Sequence, residues 1–220
     1  MSRYTILDCD QRSPEWRLAR SGRLTGSAAA ALLAKGKGSD EAVARRDLRV
    51  QLAVERLTGI PAEEGYTNDA MRHGIEQEAP ALAAYEAYSG NLVRRTGFLS
   101  HQDLMAGASL DGDIDDCRGV LEIKAPKMAT HLSYLRSPDR LSAAYNAQVH
   151  HALWITGAEW VDVASFDPRY PPELQLLVVR VERDEKAVKA YELLAVQFLR
   201  EVDAELEEIR GLMAGRMAAA

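Results

Sequence analysis

The chain has 220 residues, 47% of them hydrophobic and 27% charged, with a formal net charge of −6. That length and apolar content can bury one sizeable core and exclude a disordered or fibrous chain, so residues 1–220 read as a single domain. No apolar run reaches the ~20 residues that span a bilayer, the N-terminus lacks a signal-peptide layout, and the two cysteines, Cys9 and Cys117, form no CxxC, which excludes a disulfide framework, a zinc site and a four-cysteine iron–sulfur cluster.

A cytoplasmic protein with no membrane partner is therefore expected. From the N-terminus, "SPEWRLARSGRLTGSAAAALLAKGKG" predicts two short helices. Ser13 is the N-cap, Pro14 the first helical residue, and Trp16 and Leu18 the anchors. Val43, Leu48, Leu52, Val54 and Leu57 mark a helix over 40–58, ended by "TGIP". A further helix over 67–88 is stopped by "SG", and Pro80 should kink it or begin a second segment. Its apolar side is read as Ala79, Leu82, Ala83 and Tyr85.

The period then changes. "NLVRRTGFLS", "MAGASLDGDI" and "GVLEIKAP" each predict one strand. One helix follows, with Leu141, Tyr145, Ala152 and Ile155 on its apolar positions. Two more strands, "WVDVASFD" and "LQLLVVRV", precede a terminal helix from Arg183 to Met213. That order implies an α/β fold with a mixed sheet flanked by helices.

Charge is uneven along the chain. Residues 1–60 hold eleven basic against seven acidic side chains, a difference of about +4, whereas "EVDAELEEIR" near the C-terminus is acidic. Two readings stand: a pair of solvated helical surfaces, or a basic N-terminal face for a polyanion with an acidic exterior.

The chemistry concentrates around "SLDGDIDDCRGVLEIKAP". Strand alternation puts Glu122 and Lys124 on one face, and Leu121 and Ile123 on the other. If the flanking strands pair as a hairpin, Asp111 approaches Glu122 and Lys124. Two hard oxygen donors suit Mg²⁺ or Mn²⁺, and the lysine adds a charge for orienting water or offsetting a phosphate. Glu122 and Lys124 alone read more readily as a solvated surface pair than as a site. Three features favour a site: the Gly-flanked turn at Asp111, Glu78 beside Pro80 facing the sheet, and Gln148 on a mostly apolar helical face with Tyr145 and Ala152. Of His150 and His151, one is expected to face the core, and neither suits a Mg²⁺ site.

Asp111, Glu122 and Lys124 match the PD-(D/E)xK nuclease pattern, with Leu110 in place of its proline. "SGRLTGSAA", "HGIEQEAPALAAYEAYSG", "SLDG", "LEIKAP", "AYNAQVHHALWITG" and "SFDPRY" occur in one order along nearly the whole chain. Together these resemble the phage lambda-type alkaline exonucleases, grouped with the YqaJ-like viral recombinases. The resemblance implies a restriction-endonuclease-like core and a processive, Mg²⁺-dependent 5′-to-3′ exonuclease on double-stranded DNA ends, with Mn²⁺ able to substitute and two ions per site. It implies a homotrimeric ring and a single-strand annealing partner in phage or prophage recombination.

Carried over by residue, Asp111, Glu122 and the Ile123 carbonyl would bind metal, and Lys124 would act on the attacking water. Glu78 would support a second metal or its waters, and Gln148 would position the nucleophile or scissile phosphate. Arg20 would meet the 5′-terminal phosphate, with Thr25 and Ser27 adding hydroxyl contacts. Met71 either presses on the terminal base pair to part the strands or covers a neighbouring subunit or core. A structure- or site-specific endonuclease on the same fold, or an inactive DNA-end-binding accessory protein, are the alternatives.

Overall fold

The computed structural model describes residues 3–37, 40–62 and 69–219, apart from the side chains of Asp69, Ala70 and Met71. The N-terminus forms a short strand that the sequence did not announce, β1 (Tyr4–Leu7). Helix α1 (Pro14–Arg20) begins as expected: Ser13 Oγ accepts the Trp16 N–H, and Pro14 needs no partner at the first position. Trp16 is buried, but Leu18 is 58% exposed and anchors nothing. After a 3₁₀ turn (Gly26–Ala28) come α2 (Ala29–Leu32) and α3 (Val43–Thr58). In α3 the inward stripe is Leu48, Leu52, Ala53 and Leu57, whereas Val43 and Val54 face out.

Helix α4 (Asp69–Ser89) runs through Pro80 without beginning a second segment. Its buried positions are Ala81 and Tyr85, with Leu82 beside them, while Ala79 and Ala83 are exposed. The stripe is thus rotated from the expected one, and it puts Glu78 in line with Ala81 and Tyr85 at i, i+3 and i+7.

Two of the expected strands are each two strands. "NLVRRTGFLS" holds β2 (Val93–Arg94) and β3 (Phe98–His101); "MAGASLDGDI" holds β4 (Gly107–Ser109) and β5 (Gly112–Ile114). In both, the chain changes sheet at the break. Among the described residues, β1, β3 and β4 form a three-stranded sheet. A five-stranded sheet has the order β2-β5-β6-β7-β8, with β6 (Gly119–Lys124), β7 (Trp160–Phe166) and β8 (Leu176–Glu182). Only β6 and β7 are parallel, so the larger sheet is mixed.

The crossover between β6 and β7 carries three helices where one was expected: α5 (Met128–Arg136), α6 (Asp139–Ala144) and α7 (Asn146–Thr156). The terminal helix α8 (Glu185–Ala218) is N-capped by Asp184, whose carboxylate accepts the Lys186 and Ala187 N–H groups. No described helix is long and apolar enough to cross a membrane, and both cysteines are free.

The sheet separates two cores. On one side Val120, Val161 and Val163 pack with Leu52, Trp154, Phe198 and other residues of α2, α3, α7 and α8. On the other, Leu121 and Ile123 pack with Ala81 and Tyr85 of α4. The uneven charge is answered in part within the chain: Arg45, Arg49 and Arg56 of α3 pair with Glu201, Glu205 and Asp203 of α8 at 2.7, 3.0 and 2.6 Å. Three of the eleven basic residues of the N-terminal segment are thereby matched to the acidic helix.

Leu121→Ala should cost about 2–5 kcal/mol, since the side chain is fully buried in the smaller core. Leu18→Ala should change stability by less than about 0.5 kcal/mol. Urea unfolding midpoints of the two variants check both expectations.

Candidate active site

Register brings the predicted residues together. Gly112 pairs with Leu121, so the residue before it, Asp111, stands across from Glu122. Asp111 lies where the chain leaves one sheet for the other, and its Oδ2 accepts the Ile123 N–H at 2.7 Å. Gln11 fixes the preceding residue by donating to the Leu110 carbonyl at 2.8 Å. On β6, Lys124 Nζ donates to Glu122 Oε1 at 2.5 Å and lies 4.6 Å from the Tyr145 ring centroid. Glu78 reaches the same place from α4, where it is paired with Arg12.

A cavity of about 180 Å³ is lined by Glu78, Asp111, Glu122 and Gln148, and also by Arg20 and Ser27. Two of the three residues expected to bind a terminal phosphate, Arg20 and Ser27, therefore open into the same cavity as the carboxylates, whereas Thr25 is buried and lines the neighbouring cavity. Arg20 lies 4.1 Å over the Trp16 ring and donates to Ser27 Oγ at 3.1 Å. Thr25 Oγ1 is 3.2 Å from Ser27 Oγ.

Sequence reasoning missed Ser109. Its hydroxyl accepts from both Arg20 Nη1, at 3.0 Å, and the Trp16 indole N–H, at 2.9 Å. Its spacing of two from Asp111 in an extended segment was the available signal.

The "SGRLTGS" segment holds this shape because Gly22, at φ 68°, takes a left-handed turn. A Cβ there would lie 2.7 Å from Arg56 Cγ. Buried Glu55 accepts the Gly22 N–H at 2.6 Å, and Leu24 is bonded to Met105 and Gly107.

Arg12 was also missed. It has φ 71°, a left-handed conformation that costs a non-glycine residue roughly 1 kcal/mol or more. Met71 belongs to α4, but its side chain lies outside the described residues. His151, as expected for one of the histidine pair, is a core residue: Nδ1 meets Tyr191 Oη and Nε2 meets the Gly107 carbonyl, both at 2.8 Å. Burial pushes it down to about 4, so it stays neutral.

The profile of the YqaJ-like viral recombinase domain matches residues 15–159. The chain belongs to this family. Its structure is similar to the alkaline exonuclease LHK-Exo of Laribacter hongkongensis, with a TM-score of 0.82, 32% identity, and 92% of this chain and 99% of that one covered. LHK-Exo in complex with dAMP matches equally well. A phage-related exonuclease of Haemophilus somnus 129PT shares the fold, at TM-score 0.68 and 13% identity over 85% of this chain and 96% of that one. Among curated proteins, the uncharacterized ExoD of Escherichia coli (strain K12) is 32% identical over 71 residues, 32% of this chain and 80% of its own. The fold of this YqaJ-like chain is the PD-(D/E)xK type found in alkaline exonucleases.

The electrostatics suit a divalent ion. Burial pushes the Asp111 carboxyl up to about 7, and the neighbouring Glu122 charge adds to this; Lys124 and the Ile123 N–H only partly oppose it. Burial alone would disfavour the Lys124 ammonium, but Glu122 and Asp111 outweigh it and hold the lysine above its ordinary value. Among the described residues no three His, Cys, Asp or Glu side chains are grouped tightly enough to hold an ion unaided. Two of the three carboxylates are instead turned onto tethered cations, Glu122 onto Lys124 and Glu78 onto Arg12. Asp111, Glu122 and the Ile123 carbonyl are hard oxygen donors of the kind Mg²⁺ or Mn²⁺ takes, with waters completing the shell.

A carboxyl raised in the folded state keeps a proton that the unfolded chain gives up. Its contribution to stability is full below about 4 and is lost as pH rises through about 7. Chelator-treated protein should therefore weaken across this window. Asp111→Asn should flatten the decline and raise the melting temperature at pH 8. Parallel pH–stability curves for variant and parent would contradict the assignment.

Proposed function

We propose that this protein is a metal-dependent exonuclease that degrades one strand of double-stranded DNA from its 5′ end. It would release 5′-mononucleotides and leave a 3′ single-stranded overhang for recombination by strand annealing. The reading rests on one observation above all. The three carboxylates, Gln148 and the Arg20–Ser27 pair line a single cavity, so a scissile phosphate and a terminal phosphate can be held together. Membership of the YqaJ-like family and the likeness to LHK-Exo support it.

When bound at Asp111, Glu122 and the Ile123 carbonyl, Mg²⁺ or Mn²⁺, as a pair of ions in the full complement, would supply a Lewis acid for the phosphate oxygens and a lowered pKa for bound water. The chain's own residues then have separable tasks. Lys124 acts on the attacking water, its ammonium favoured beside Glu122 in the metal-free chain. It orients that water and offsets charge on the phosphate.

Gln148 contributes an uncharged amide to the cavity, which orients the nucleophile or a phosphate oxygen without altering the charge balance. Glu78 takes up the second ion or its waters. Arg20 presents a planar donor fork, stacked on Trp16 and surrounded by the hydroxyls of Ser27, Ser109 and Thr25, to the 5′-terminal phosphate. As in the resembling family, a homotrimeric ring enclosing DNA would give processivity, and an annealing protein would take the overhang. The site would work in the cytoplasm of a bacterial host.

Linear duplex labelled at the 5′ or 3′ end, with Mg²⁺ or EDTA, tests the reaction. Metal-dependent release of 5′ nucleotides, lost in Asp111→Ala and absent on closed circles, is expected. Cutting of closed circles would instead indicate an endonuclease, and binding without cleavage an end-binding protein. Arg20→Ala should weaken use of 5′-phosphorylated ends by about 10- to 150-fold, as loss of a charge-assisted contact worth about 1.5–3 kcal/mol predicts. Ends bearing a 5′-hydroxyl should be affected far less. Equal losses on both kinds of end would remove Arg20 from the phosphate site.

A further inference from the structure

Arg12 is a cation at the cleft that the site residues above do not account for. Like Glu78, it lines both the catalytic cavity and the adjoining cavity of about 250 Å³, so it stands at their junction. Its guanidinium is paired with Glu78, and the two side chains are 39% and 27% exposed. The pair is therefore open enough to separate without disturbing either core.

The backbone at Arg12 is held firmly. Gln11 before it donates to the Leu110 carbonyl, Ser13 after it caps α1, and φ is 71°. An L-residue with a long side chain seldom occupies that region, which favours glycine, so the arginine is held there against local preference.

Glu78, Asp111 and Glu122 line the cavity together. Lys124 pairs with Glu122 and Arg12 with Glu78, whereas Asp111 is in no ion pair among the described residues; Arg20, the third cation of the cavity, is held on Ser109 and Ser27. One divalent ion at Asp111 and Glu122 suits that balance. A second ion at Glu78 meets a carboxylate already occupied by a guanidinium.

We propose that Arg12 is a tethered cation occupying the Glu78 corner of the site, so that a second divalent ion binds there only by displacing the guanidinium. Arg12 is thus a positioning residue: it sets how many ions the site holds before DNA arrives. The displaced guanidinium stays at the cavity junction, where a DNA phosphate is the available anion. The inference rests on the metal-site reading of Asp111 and Glu122 and refines its ion count.

Mn²⁺ titration of the full chain without DNA, with free ion followed by electron paramagnetic resonance, tests it apart from activity. Wild type should bind one ion tightly and a second at least tenfold more weakly. Arg12→Gly suits the left-handed turn and should bind the second ion on the order of tenfold more tightly, as removal of a charge-assisted competitor predicts. Combining Arg12→Gly with Glu78→Gln should abolish that gain.

Superimposable curves for wild type and Arg12→Gly would overturn the proposal, as would a gain that survives Glu78→Gln. Asp111→Asn keeps these failures distinct from failure of the metal reading itself. It should lose the first ion, and binding like wild type would sink the metal site rather than the role of Arg12.

Discussion

The site depends on the chain changing sheets at Leu110 and Asp111. Had β4 and β5 been one continuous strand, Asp111 would be an ordinary ladder residue. Instead the backbone is released from one sheet before it is captured by the other. The carboxylate closes the gap by accepting the Ile123 N–H. The same hydrogen bond ties Asp111 to the strand carrying Glu122 and Lys124. The parallel break at 95–97 puts β3 beside β4 and β2 beside β5, so both sheets are braced where they part.

That geometry concentrates negative charge where water is scarce. Repulsion between Asp111 and Glu122 is relieved only in part by Lys124 and the Ile123 amide. The folded protein thus holds an unfavourable arrangement that the two cores must offset, a common trade between stability and function. The lysine is not a passive neighbour. Its neutral form would leave Glu122 and Asp111 unscreened, so the acids maintain the ammonium as much as it maintains them.

What could be read from the sequence followed from local period. Alternation in "GVLEIK" puts Glu122 and Lys124 on one face whatever the tertiary context, and capping chemistry located Ser13 and Pro14. Alanine was uninformative: Ala79, Ala81 and Ala83 look alike in sequence, yet only Ala81 faces the sheet, and the stripe on α4 was rotated in consequence. The strand breaks were hidden because each is only two or three residues long, 95–97 and 110–111, and only a second sheet explains the interruption. The exposed edge strand β1 lacks a clear inward pattern. Arg12 was out of reach for another reason. Its partner lies 66 residues away, and its left-handed backbone carries no signal in residue type.

The distribution of charge narrows the path of a polyanion further than composition could. Arg45, Arg49 and Arg56 are committed to α8, which removes them from any basic stripe running the length of the N-terminal segment. What remains is a groove of joined cavities. Arg95 and Arg12 line one end, Asp111 and Glu122 the middle, and Arg17 and Arg23 the far end, reached through Arg20. Basic side chains therefore flank the carboxylates on both sides. Under the proposed function, a phosphate backbone would be attracted toward the site from either direction but would meet negative charge at the centre. A divalent ion bound there would reconcile the two, turning the repulsive centre of the groove into a point where a phosphate could be held.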